Sequence, residues 1–176
     1  ALRVPAHAPS AFAGKAPDIA LTTNGATLRN VAHELFTAGV SRVNVSLDTL
    51  QPEKFLAMTR RDEFHNVIAG IQEAQQAGFH PVKVNAVIER GTNDDEIVDL
   101  ATFGRENNVE VRFIEFMPLD AEQGWTGNKV VSQDEIVQAI HAVYPLEQMS
   151  ARGAAPADRW RYLDGKGTVG VIPSVT

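Results

Sequence analysis

Residues 82–88 read Val-Lys-Val-Asn-Ala-Val-Ile, and their alternation sets how the rest of the chain is read. Every second position is apolar, a period of two that marks a strand. A strand buried on both faces would be apolar throughout. Here Lys83 and Asn85 share one face, and a buried ammonium requires a counter-charge. The pattern recurs on either side of this segment. Ile19–Thr23 is a strand ending in Asn24-Gly25, with Thr22 and Asn24 on one side. Arg42–Leu47 sets Asn44, Ser46 and, just beyond, Asp48 against Val43, Val45 and Leu47. Glu110–Phe116 is a fourth strand, read with Glu115 and Met117 on its polar side and Ile114 and Phe116 toward the helices.

Helical periodicity fills the intervals. Leu28, Val31, Ala32, Leu35 and Phe36 form one stripe that Gly39 would stop. Pro52 suits the first turn of a short helix carrying Phe55 and Leu56. Phe64, Val67, Ile68, Ile71 and Ala74 line a longer helix ending at Gly78. Asn93 with Glu96, and Ser132 with Glu135, resemble capping boxes ahead of two more apolar stripes. The strand–helix unit thus recurs four times, which predicts a parallel sheet with right-handed crossovers. The end differs: Arg159–Leu163 and Thr168–Ile172 flank Asp164-Gly165-Lys166-Gly167 as a hairpin. Polar residues gather toward the strand C-termini, where α/β folds bind ligands. A curved sheet enclosing a polar ligand fits this best.

The bulk properties narrow the classes. A chain of 176 residues, 44% hydrophobic and 22% charged, suits one domain. A net charge of −6 without a basic run argues against a nucleic-acid surface. No apolar stretch approaches a membrane span, and residues 1–17 lack the apolar core of a signal peptide, so a cytoplasmic location and no membrane partner are expected. The absence of cysteine excludes disulfides, and any Cys-ligated zinc or iron–sulfur centre built from this chain alone. His7, His33, His65, His80 and His141 do not pair at the i, i+4 spacing of a helical metal site.

Spacing alone leaves the chemistry open. Lys83 could form an internal ion pair with Glu115 or Asp48, snorkel to the surface, or contact an anion such as a phosphate. Ser46 could hydrogen-bond a ligand, or satisfy loop amides together with Asp48. Met117 could be core filler or a ligand contact. No GxGxxG or GxxxxGK[ST] pattern is present.

Five strings carry a resemblance: Leu-Thr-Thr-Asn-Gly at 21–25, Val-Asn-Val-Ser-Leu-Asp-Thr-Leu at 43–50, the 82–88 strand, Gly-Thr-Asn-Asp-Asp-Glu-Ile at 91–97 and Val-Arg-Phe-Ile-Glu-Phe-Met-Pro-Leu at 111–119. Trp125, the stretch 130–136 and residues 167–175 extend it. Together they resemble the GTP 3′,8-cyclase family of radical-SAM enzymes in molybdenum cofactor biosynthesis. The resemblance implies an α/β fold, a partial (β/α)6 TIM-like radical-SAM barrel. Residues 18–145 would hold its last four strand–helix units, after an irregular segment 1–17 and before the start of a C-terminal hairpin extension at 146–176. In that family a [4Fe–4S] cluster cleaves S-adenosylmethionine (SAM), the deoxyadenosyl radical takes the 3′ hydrogen of GTP, and a second cluster helps hold GTP.

Matched by position, Thr22 and Lys83 are the implied GTP contacts, and Ser46 and Met117 the implied SAM contacts. Asn24, Asn85 and Glu115 form a second tier on the same face. The family's CxxxCxxC loop and GGEP strand are not in this sequence, so the cluster ligands are missing. The expectation is therefore a fragment, inactive alone, whose partners are GTP, SAM and the remaining portions of the same enzyme. The strand at Ile19 would present an unpaired edge and favour self-association. The alternative is a non-catalytic half-barrel that binds a nucleotide or a partner chain.

Overall fold

A computed structural model describes residues 17–117, 127–150 and 156–174. The segment 1–16 and Trp125, both weighed above, lie outside them. Four strands alternate with helices: β1 (Ile19–Thr23), α1 (Leu28–Thr37), β2 (Val40–Ser46), α2 (Pro52–Thr59), α3 (Phe64–Ala77), β3 (Lys83–Ile88), α4 (Ile97–Glu106), β4 (Glu110–Glu115) and α5 (Gln133–His141). Three shorter strands follow, β5 (Leu146–Gln148), β6 (Asp158–Tyr162) and β7 (Thr168–Ile172). They form one mixed sheet in the order β1-β2-β3-β4-β7-β6-β5. The pairs from β1 to β4, and β4 with β7, are parallel; β7 with β6 and β6 with β5 are antiparallel.

The first four strands lie in sequence order with no reversal. Right-handed crossovers in one direction put every described helix on one face, so among the described residues the other face carries no helix. Side chains divide accordingly. Val43, Val45, Leu47, Val84, Ala86, Ile88, Val111 and Phe113 are buried beneath helix residues such as Leu28, Val67, Ile71, Leu100, Ile136 and Ile140. The predicted hairpin is present, and the structure adds where it goes: β7 docks parallel on β4 and carries the sheet onward.

Local chemistry explains the joints. Gly25 follows β1 at φ 78°, and a Cβ there would meet Val45 Cγ1 at 2.8 Å, so both the turn and the close approach require glycine. Ser132 and Glu135 form the predicted capping box at α5. Asn93 and Glu96 do not cap α4. Asn93 is fully buried, donating to Asp48 O and Val87 O and accepting from Glu89 N. Glu96 accepts from the Thr49 hydroxyl and Leu50 N and pairs with Lys54 at 2.8 Å. Tertiary demands took both side chains away from the cap.

Candidate functional site

The register of the parallel strands arranges the polar residues of the helix-free face in rows. Thr22 pairs with Asn44, Asn44 with Lys83, and Lys83 with Glu110. Two residues further along each strand, Ser46 pairs with Asn85, Asn85 with Arg112, and Arg112 with Gly170. In-register parallel neighbours lie about 4.8 Å apart, so each row is a continuous line of functional groups. Asn44 Nδ2 donates to Thr22 Oγ1 at 3.3 Å.

Lys83 finds its counter-charge in Glu110, at 3.6 Å, and not in Glu115 or Asp48. Glu110 also accepts from Arg112 Nε at 3.0 Å and from Arg159 Nη2 at 2.6 Å. Burial lowers the Lys83 pKa, and the neighbouring Arg112 and Arg159 lower it further against the opposing pull of Glu110. Burial pushes Glu110 upward, yet the three cations outweigh it and hold its pKa below the usual carboxylate value. Among the described residues, three cations around one carboxylate leave this cluster with a surplus of positive charge.

Past the ends of β1 and β2 lies a cavity of about 240 Å³. Asn24, Ser46, Asp48, Phe55, Arg61 and Glu63 help line it. Burial raises the Asp48 pKa although its carboxylate accepts from Val87 N. Asn24 Oδ1 accepts from Ala26 N, which fixes the turn after β1. The buried Asn85 Oδ1 has no hydrogen-bond partner among the described residues, an open acceptor in the Ser46 row.

The expected site is therefore partly assembled and partly corrected. Thr22, Ser46, Lys83 and Asn85 share the helix-free face, and Asn24 joins Ser46 at the cavity. Glu115 does not belong there. It is the register partner of the buried Ile88, 7% exposed, and accepts from Gln133 N at 2.6 Å, Ser174 N at 2.8 Å and Ser174 Oγ at 2.7 Å. Its carboxylate holds the N-terminus of α5, where aligned amides favour negative charge. The phase of β4 is thus one residue away from the reading made above. Ile114, paired with Val87, lies on the helix-free face, and the polar pair there is Glu110 and Arg112. Met117 lies two residues beyond β4 and is 43% exposed. The signal missed was Glu110-Val111-Arg112, whose alternation mirrors Lys83-Val84-Asn85 directly across the register.

Comparison with known proteins gives this arrangement a family context. Residues 5–104, more than half the chain, match the model of the Radical SAM superfamily. Residues 109–176 match that of Molybdenum Cofactor Synthesis C. The chain is 48% identical over 162 residues to the GTP 3′,8-cyclase of Streptomyces coelicolor, covering 91% of this chain and 48% of that protein. It is 46% identical over 161 residues to that of Acidothermus cellulolyticus, covering 90% and 44%. The chain therefore spans about half the length of the curated relatives it matches. Among solved structures, a radical SAM methyltransferase from Sphaerobacter thermophilus aligns with a TM-score of 0.54 at 23% identity, over 70% of this chain and 37% of that one. That likeness concerns the fold alone.

Proposed function

We propose that this chain, which belongs to the radical SAM superfamily, forms part of the nucleotide-binding wall of a GTP 3′,8-cyclase. Its strands would be consecutive staves of a partial barrel, with the helix-free face turned toward the substrates. The observation that carries the reading is the surplus of cations on that face, Lys83, Arg112 and Arg159 around the single carboxylate of Glu110. A triphosphate is the substrate group that such a surplus fits. Guanidinium–phosphate hydrogen bonds are charge-assisted and geometrically selective. Thr22, in the same row as Lys83, adds a hydroxyl that can donate or accept.

The residues present also fit SAM. The cavity at Ser46 presents Arg61 together with the carboxylates of Asp48 and Glu63, charges of both signs that suit a zwitterionic amino-acid moiety. Asn85 Oδ1 offers an unused acceptor in the Ser46 row, and Met117 would pack its thioether against a flat ring. When bound, SAM supplies the radical precursor; the residues here bind and orient it beside the nucleotide.

The chain's residues do not fit an iron–sulfur cluster. It contains no cysteine, and among the described residues no group of three or more His, Asp or Glu could hold a metal ion. Thiolates for such a cluster would come from outside this sequence. No helix among the described residues is long and apolar enough to cross a membrane.

The test is a chimera in which residues 18–174 replace the matching segment of the Streptomyces coelicolor relative, assayed for GTP conversion. The chimera should be active, and Lys83→Ala and Arg112→Ala should each cost roughly 10- to 100-fold in kcat/KM, the scale of a charged hydrogen bond. A folded, cluster-loaded chimera that binds no GTP would overturn the reading.

A further inference from the structure

The cation cluster is organised by one side chain. Glu110 is 4% exposed yet meets donors from four strands: Lys83 of β3, Arg112 of its own β4, Arg159 of β6, and the Thr168 hydroxyl of β7 at 3.1 Å. Arg159 Nη2 also donates to Thr168 Oγ1 at 3.1 Å, closing the group. Three cations held this close repel one another and lose hydration. Without a central anion they would splay toward solvent.

We propose that Glu110 is a positioning residue of the anion site: it holds Lys83, Arg112 and Arg159 together on the helix-free face before ligand arrives, so that a polyphosphate meets a preformed cradle. This rests on the nucleotide reading above and names the residue that makes the site. Ordering the cations in advance removes the cost of ordering them on binding. Glu110 also protects the charge of Lys83. Burial, Arg112 and Arg159 all favour the neutral amine, and Glu110 is the group that opposes them. The charged groups facing Lys83 are Glu110 and Arg112 from β4 and Arg159 from β6, whereas β2 presents the neutral Asn44.

Simple charge counting makes the opposite forecast. Removing one negative charge from the cluster should tighten anion binding at every pH. The two are separated by calorimetry with inorganic tripolyphosphate on the whole chain, from about pH 6.5 to about pH 9, using wild type and Glu110→Gln. The Lys83 ammonium is followed in parallel by side-chain NMR, assigned with Lys83→Met. The expected result is a crossover. Near pH 6.5 the variant binds within about threefold of wild type, and near pH 9 it binds roughly tenfold more weakly, because its Lys83 midpoint has dropped. Glu110→Asp, which keeps the charge one methylene short, recovers most of both.

Uniform tightening by Glu110→Gln, or an unmoved Lys83 midpoint, overturns the proposal. Should Glu110→Gln fail to fold, Arg159→Gln must raise the Lys83 midpoint, since it removes a cation from the same cluster; no change there is equally fatal. Tripolyphosphate carries no nucleoside. A chain that shows the crossover but ignores GTP therefore keeps the role of Glu110 and sinks the nucleotide reading. A chain that binds neither ligand leaves the Lys83 titration to decide alone.

Discussion

Replacing Glu115 should damage folding and leave ligand binding intact. The carboxylate is 7% exposed on the helix-packed face. One oxygen accepts from Gln133 N at the start of α5, and the other accepts from both the N–H and the hydroxyl of Ser174 beyond β7. A glutamine has the same shape but only one acceptor oxygen. It can serve one of those two groups, while its amide N–H₂ turns toward a donor at the other. With hydrogen bonds to a charged group worth about 1.5–3 kcal/mol each, Glu115→Gln should cost about 2–3 kcal/mol. Alanine leaves both Gln133 N and Ser174 N without an acceptor, and should cost about 3–5 kcal/mol. For a chain of this size the alanine figure corresponds to a melting temperature lower by roughly 10 °C.

Urea and thermal unfolding followed by circular dichroism measure these differences. Tripolyphosphate calorimetry, run well below the melting transition, checks that affinity is unchanged. A Glu115→Gln variant with wild-type stability and altered anion affinity would refute the placement of this side chain. It would also restore the phase of β4 first read from the sequence.

Three further outcomes follow from the packing and charges. Gly70→Ala puts a methyl 2.8 Å from Gly25 O and 3.1 Å from Leu28 Cβ, where α3 meets the start of α1; overpacking of this kind costs about 1–3 kcal/mol, and a urea midpoint equal to wild type would contradict the close approach. Glu135 has its pKa lowered to about 2 by the Ser132 backbone N–H first, then by Arg90 and the Ser132 hydroxyl. Because the folded value lies below the ordinary 4.5, its contribution is full above that value and is lost as pH falls through about 2. A carboxyl NMR titration should show this midpoint, and Arg90→Ala should raise it; a midpoint near 4.5 would dissolve the cap. Among the described residues β1 pairs on one side only, with β2. An unpaired edge is a template for association, so sedimentation should show concentration-dependent oligomers, and a monodisperse monomer would oppose this.

Much of the fold was legible because its signals are local. Alternation in Val43–Asp48 and Lys83–Ile88 gave both the strand and its polar face, and glycines at 39 and 78 marked real helix ends, with φ of 95° and 109°. Thr22, Ser46 and Lys83 could be grouped because they repeat the same phase on adjacent parallel strands. The β4 error has a different origin. Glu115 was placed by its position at a strand's C-terminal end, but its partners lie 18 and 59 residues away in sequence. A carboxylate that serves distant backbone amides has no local mark. Asn93 and Glu96 misled for the same reason, since a capping-box spacing cannot show that both side chains are drawn inward by Asp48, Thr49 and Lys54.

Arg159 was beyond reach until the hairpin's docking was known. Its turn is written in Asp164–Gly167, but nothing local says that β7 will pair with β4 and not fold back elsewhere. That docking decides the composition of the site. Lys83 comes from the segment matching the Radical SAM model, whereas Glu110, Arg112 and Arg159 come from the segment matching Molybdenum Cofactor Synthesis C. The boundary falls in the tight turn between α4 and β4. Just before that turn, near the end of α4, a Cβ on Gly104 would meet Val111 Cγ2 at 2.7 Å and Val109 O at 3.0 Å. The absence of that Cβ lets α4 lie directly on β4, and the strand emerging from the turn sets Glu110 opposite Lys83. Each segment alone carries an incomplete set of charges: a lysine without its counter-ion on one side, a carboxylate between two arginines on the other. Sheet continuity across the boundary, from β3 through β4 to β7 and β6, is what brings them into one cluster of charges on adjacent rows of the same face.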